Sequence, residues 1–158
     1  MNDAVPIHHA TELTRFIESR YHARHREQLP MLLKLAEMVE DLHCGEEGVP
    51  DGLHDLLRRM AEELEMHMTN EELVLFPAIR KGGGRALAEA IAPIRANHAE
   101  HDHQLAEIRR LTNDLALPEG ACSSWNTLYA GLAEFADDLS EHVRLEDDVL
   151  FPRFERAA

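Results

Sequence analysis

The chain has 158 residues, a formal net charge of −14 and 5% aromatic residues; that length suits one domain with its own core, and that charge weighs against nucleic acid and anionic membranes as partners. No stretch approaches the ~18 consecutive apolar residues of a membrane span, and MNDAVPIHHA has neither the basic start nor the apolar run of a signal peptide, so a cytoplasmic protein is expected. Two cysteines, Cys44 and Cys122, are too few for a disulfide scaffold and are expected as free thiols.

Leu, Ala, Glu and Arg dominate while Val, Ile and Thr do not cluster, which favours helix over sheet. Residues 1–10 read as a flexible tail and 11–158 as one helical unit. The first helix is expected from about Thr11 to His43. The loop Cys44-Gly-Glu-Glu-Gly-Val-Pro follows, and Asp51 is placed to cap a second helix reaching about Lys81. Gly82-Gly83-Gly84 breaks the chain, and a third helix runs from about Arg85 to Asn113. Leu117 to Cys122 is loop, Ser123 or Ser124 caps the fourth helix, and that helix extends to about Phe154. Short connections between long helices imply antiparallel neighbours, hence an all-α, up-down-up-down four-helix bundle. Pro30 and Pro93 fall inside helices and should kink them.

The stripes facing inward can be read from the spacing. The second helix offers Leu53, Leu57, Met60, Leu64, His67, Glu71 and Val74. The third offers Leu87, Ile91, Ile94, His98, His101, Leu105 and Ile108, and the fourth Leu128, Leu132, Phe135, Leu139, His142, Glu146 and Val149. Histidines and glutamates thus interrupt apolar stripes. Two of these stretches repeat one phrase, HMTNEELVLFP from His67 and HVRLEDDVLFP from His142. Each has His, then Glu four residues on, then a second acid, then Val-Leu-Phe-Pro. The Phe-Pro ends read as packing at the end of the bundle.

Buried imidazoles and carboxylates need partners. A hydrogen-bonded network among themselves is one solution; the pairing of His with Glu on two helices, and inward His on the other two, favours metal. On the first helix His22 is preferred, with His25 one turn away as its rival. On the third His101 is preferred, with His98 as a fifth imidazole or a neighbour of the site. Four imidazoles and two carboxylates (His22, His67, Glu71, His101, His142 and Glu146) are too many for one tetrahedral zinc. They suit two ions bridged by carboxylates inside a bundle, and the ligand types fit iron, with manganese as competitor. His43 lies about 31 Å along the helix from His22, too far to share the site.

At YHARHREQLP (21–30), HMTNEELVLFP, EHD (100–102), LPEGACSSW (117–125) and HVRLEDDVLFP the sequence resembles the hemerythrin-like HHE superfamily, and within it the repair-of-iron-centres proteins. The resemblance implies two non-haem Fe ions on His22, His67, Glu71, His101, His142 and Glu146, bridged by Glu71 and Glu146 and open to an oxo bridge. It implies a role in nitric oxide and oxidative stress, through repair of iron–sulfur clusters by iron donation and through binding or reduction of nitric oxide. Its partners would be a gas, NO or O2, and iron–sulfur client proteins. Glu63 and Glu100 match acids that lie near the metal and its access path in such proteins. That family carries a short N-terminal Cys-Cys domain, and nothing ahead of Thr11 corresponds to it. The competing expectation is a reversible carrier or sensor of O2 or NO; a metal-free bundle is the third.

Overall fold

The computed structural model describes residues 4–155. Regular structure among these residues is entirely helical and forms four rods. The first is α1 (Ala10–Ile17), a π-helical segment π1 (Glu18–His22) and α2 (Ala23–Leu42). The second is α3 (Leu53–Asn70), π2 (Glu71–Leu75) and α4 (Phe76–Arg80). The third is α5 (Arg85–Leu111), and the fourth is α6 (Ser123–Arg144), π3 (Leu145–Leu150) and α7 (Pro152–Glu155). The start of the first rod meets the end of the second, α1 on α4, while α2 lies on α3 and α6. In the same sense α5 packs on α3 and on α7. The result is the antiparallel four-helix bundle that the short connections imply. Among the described residues no helix is long and apolar enough to cross a membrane.

Two caps differ from those the sequence suggests. Asp51 does not cap α3: Gly52 takes that position with φ +90°. Its N–H and that of His54 donate instead to the Glu40 carboxylate, at 2.6 and 3.0 Å, from the end of α2. A neighbouring helix thus satisfies donors that a local side chain was expected to take. Likewise Cys122, not Ser123 or Ser124, is the N-cap of α6, and it makes no side-chain cap bond. Pro30 and Pro93 sit on exposed faces of helices that continue through them.

The larger correction concerns phase. Val74 and Val149 were expected to face inward, yet Val74 is 59% exposed and Val149 half-buried, while Leu75, Phe76, Leu150 and Phe151 are buried. Each π segment closes an i→i+5 bond: Ala23 N–H to Glu18, Phe76 N–H to Glu71, Phe151 N–H to Glu146. Such a turn holds one residue more than an α turn, so the face beyond it advances by one. The repeated Phe-Pro contributes to this. A proline at 77 cannot donate to the Leu73 carbonyl, nor one at 152 to Asp148, as α register would require.

The core is split by this geometry. One apolar cluster, around Leu57, Met60, Leu64, Trp125, Leu128 and Phe135, fills the end near the 43–52 loop. Another, around Leu13, Ile17, Ile79, Ile91, Leu150 and Phe151, fills the opposite end. Between them lies a layer of buried polar side chains: His22, His25, His67, Glu71, His98, His101, His142 and Glu146, each at most 3% exposed.

Candidate metal centre

All four rods contribute to this layer, and π1, π2 and π3 each contain one of its members: His22, Glu71 and Glu146. His67 sits in the last turn of α3 and His142 in the last turn of α6, so each repeated phrase carries its imidazole on an α turn and its carboxylate at or just inside the π turn.

The donor atoms converge. Glu71 Oε1 lies 3.1 Å from His67 Nε2, 3.4 Å from His22 Nε2 and 3.9 Å from His142 Nε2. Glu146 Oε1 lies 2.6 Å from His142 Nε2 and 3.6 Å from His98 Nε2. His67 Nε2 and His98 Nε2 face each other at 3.2 Å. Two sets of mutually close ligand atoms result, His67, Glu71, His98 and Glu146, and His22, Glu71 and His142. Glu71 belongs to both, and Glu146 reaches His142 from the first set.

Of the six expected ligands, five lie in these sets: His22, His67, Glu71, His142 and Glu146. His101 does not. His98, three residues earlier on α5, lies in the first set. Within the layer but outside both sets, His101 has its ring 5.2 Å from that of His67, with Nδ1 3.4 Å from Gln104 Oε1 and Nε2 buried without a partner. His25 also stays outside both sets; its Nε2 lies 3.1 Å from His142 Nδ1 and holds that ring from behind.

The layer has an approximate twofold pattern that explains the sixth position of the repeat. Glu72 lies 2.8 Å from His22 Nδ1, and Asp147 lies 2.8 Å from His98 Nδ1. A carboxylate accepting the Nδ1 proton turns the lone pair of Nε2 inward, the arrangement that orients and strengthens an imidazole ligand. Arg26 binds Glu72 at 2.8 Å, and Arg95 lies 3.5 Å from Asp147. The phenylalanines complete the pattern: Phe76 stacks on His22 at 5.8 Å and Phe151 on His98 at 6.1 Å. Sequence reasoning gave no role to Glu72 or Asp147; the second acid shared by the two phrases was their signal.

Burial dominates the electrostatics. It holds His22 down to about 2, His67 and His25 to about 3, and His101 to about 4, so these imidazoles stay neutral. Burial also depresses His98, but the Asp147 hydrogen bond and the Glu146 charge carry it above the ordinary value. Burial and the adjacent Glu146 push the Glu71 carboxyl well up. Two carboxylates side by side in an apolar bundle cannot both remain ionised without a countercharge.

The hydrogen-bond account leaves atoms over. His22 Nε2, His142 Nε2 and both oxygens of Glu71 and of Glu146 are buried with no hydrogen-bond partner. Buried polar atoms are rarely left unpaired, and here Glu71 Oε1 lies within 3.9 Å of both unpartnered imidazole nitrogens while Glu146 Oε1 lies 2.6 Å from that of His142. Neutral imidazole nitrogens and carboxylate oxygens are a donor set for iron or manganese, so the residues fit a pair of bound cations. A cavity of about 490 Å³, lined by Glu63, Met66, His67, Asn97, Glu100 and His101, opens beside the layer. Gln104 donates to Glu63 there at 2.7 Å. Glu63 and Glu100, the two acids expected near the site, both line this cavity.

Known proteins resemble this chain over most of its length. The chain is similar to the iron-sulfur cluster repair protein YtfE of Yersinia pseudotuberculosis, 48% identical over 146 residues that cover 90% of this chain and 65% of that protein. The corresponding protein of Edwardsiella ictaluri is 45% identical over 142 residues, covering 90% and 64%. The chain thus spans slightly less than two thirds of the length of these relatives. The hemerythrin HHE cation binding domain family matches residues 17–154, a span that holds every member of the polar layer, and this chain belongs to that family.

Proposed function

We propose that the polar layer holds two iron ions and that the protein serves in the repair of damaged iron–sulfur clusters. The observation that carries the reading is the set of six unpartnered buried atoms on His22, Glu71, His142 and Glu146, residues whose ligand atoms fall in two close sets that share Glu71. In this reading His67, His98, Glu71 and Glu146 would hold one ion and His22, Glu71 and His142 the other. His101 lies beside His67 and lines the cavity. The likeness to iron-sulfur cluster repair proteins supports the biological role.

Bound iron would supply electron transfer and open positions for a diatomic gas. The chain's own residues do the rest. Glu72 and Asp147 keep His22 and His98 in the metal-binding tautomer, and two apolar clusters keep water from either end of the layer. The cavity beside His67 and His101 gives a small ligand, NO or O2, a way in. Iron leaving by that route to client proteins would pass Glu63 and Glu100, two carboxylates suited to a departing cation.

The test is anaerobic iron quantification followed by titration of the reduced protein with nitric oxide. About two irons per chain, with nitrous oxide produced, supports repair coupled to removal of nitric oxide. Iron that transfers to a cluster-depleted client supports donation. A stable oxygenated form that releases O2 on evacuation would instead favour the carrier reading, and a chain without metal after anaerobic reconstitution would end both.

A further inference from the structure

At the end of the bundle remote from the open cavity, roughly 30 Å along the first rod from His22, His43 terminates α2 and divides its imidazole between two partners. Nδ1 lies 2.5 Å from Glu46 Oε2, and Nε2 lies 3.2 Å from Cys122 Sγ. The three groups come from the last turn of a helix, the loop after it and the residue before α6. His43 and Glu46 meet within one turn, and the fold brings Cys122 to them from 79 residues away. The His43 side chain is 12% exposed, and the buried Trp125 ring lies 4.7 Å from it. Cys122 is half-buried and caps the 22-residue α6, where the positive end of the helix favours a thiolate.

This is not a second metal centre. The two ring nitrogens point at opposite partners, so the carboxylate and the sulfur do not share a space with one ligand nitrogen, and the three residues form no set of convergent ligand atoms. The order is carboxylate, imidazole, thiol. In that order a carboxylate fixes the tautomer and orientation of a base, and the base accepts a proton from a nucleophile. Nothing in the metal layer requires it.

We propose that Cys122, paired with His43 and Glu46, is a nucleophilic thiol that exchanges with low-molecular-weight disulfides and carries the resulting mixed disulfide. The proton of Cys122 passes to His43 Nε2. The thiolate attacks one sulfur of the disulfide, the Cys122–S bond forms as the reagent's S–S bond breaks, and the released thiolate takes the proton back from His43. One disulfide and one thiol are consumed, and one mixed disulfide and one thiol are formed. His43 is raised and Cys122 lowered from their ordinary values, mainly by their mutual hydrogen bond. Both directions favour the imidazolium–thiolate pair. Cys44, next in sequence and exposed, lacks this setting and is the internal comparison.

The experiment uses iron-loaded protein and 4,4′-dithiodipyridine, a neutral disulfide whose reaction is followed by absorbance from pH 5 to 9. With Cys44→Ser only Cys122 reacts; with Cys122→Ser only Cys44 does. At pH 6 Cys122 is expected to react about ten-fold faster than Cys44 or more. Adding His43→Gln to Cys44→Ser should reduce the rate to that of Cys44 and move its pH midpoint upward. Glu46→Gln, at an exposed position that the fold does not need, should move the rate in the same direction. Iron content should not change in any of these variants, which separates this thiol from the metal reading. Equal rates for the two cysteines, or a Cys122 rate that neither His43→Gln nor Glu46→Gln alters, would overturn the proposal.

Discussion

Asp147 stands to His98 as Glu72 stands to His22: each carboxylate is 2.8 Å from the Nδ1 of an imidazole on another rod, and each follows a buried bridging candidate, Glu146 or Glu71, by one residue. The duplicated phrase therefore supplies more than its own His and Glu. Each copy also orients the imidazole presented by one of the other two helices. Removing the orienting acid should weaken metal binding without unfolding the bundle. Glu72→Ala and Asp147→Ala are each expected to lower metal affinity by about 10- to 100-fold, measured by competition with a chelator. Glu72→Gln, which keeps an acceptor, should lose less. Identical affinity in wild type and both alanine variants would show that these contacts do not tune the centre.

A bridging carboxylate has opposite effects with and without metal. In the apo protein Glu71 is a fully buried carboxyl whose oxygens have no partner, so Glu71→Ala should remove a desolvation penalty and leave the apo fold as stable or more stable, by up to about 2 kcal/mol. The same variant should lose metal, and so lose the stabilisation that metal gives. Thermal melts with and without iron read both arms. A variant less stable in the apo form, yet still loaded with two irons, would contradict the bridging role. His43→Ala, remote from the layer, should retain metal.

His98 and His101 separate by the same kind of experiment. His98 belongs to a set of convergent donors and His101 does not. His98→Ala should therefore lose iron as severely as His142→Ala, and His101→Ala should keep more of it while changing the rate at which small ligands enter beside Glu63. Equal iron loss in the two variants would make both of them ligands of one ion.

These residues also show what the sequence could and could not convey. Apolar periodicity is read within one helix, and it brought His67, Glu71, His142 and Glu146 to one level because each pair sits four residues apart on a stripe. It could not rank His98 against His101, since residues three apart share a face and only the neighbouring rods decide which imidazole meets Glu146. The cap on α3 lies in Glu40, twelve residues before Gly52, beyond any local rule. The outward turn of Val74 depends on a π segment, for which there is no residue code; the Phe-Pro that ends each phrase is a mark of it only in hindsight.

The apo protein should be acid-sensitive in a defined direction. Burial holds His22, His25, His67 and His101 at about 2 to 4, against 6.5 when exposed. As pH falls below 6.5 the unfolded chain takes up protons on these imidazoles while the folded chain does not. Stability is therefore undiminished above 6.5 and falls below it, by about 1.4 kcal/mol per pH unit for each such imidazole. Glu71, pushed up, opposes this by about one proton above the ordinary carboxyl range. His98, also raised, contributes stability below 6.5 that is lost as pH rises through its folded value. Four depressed imidazoles outweigh these two, so urea midpoints of the apo protein should drop between pH 6.5 and 4. A flat profile across that window would mean that the imidazoles are not buried neutral.

The π segments make a prediction that a continuous α-helix would reverse. On an uninterrupted helix Val74 shares the inward stripe of His67 and Glu71, so a charge there would be buried. In the structure the i→i+5 bond from Phe76 to Glu71 advances the register, leaving Val74 59% exposed and Leu75 2% exposed. Val74→Asp should change stability by less than about 0.5 kcal/mol, as at other surface positions. Leu75→Asp would place an unpaired charge in the apolar cluster between α1 and α4 and should prevent folding. Circular dichroism melts of the two variants decide the matter: a severe loss at position 74 with tolerance at 75 would mean the α register runs unbroken through Glu71, and Glu71 would then no longer be aimed between His22 and His67.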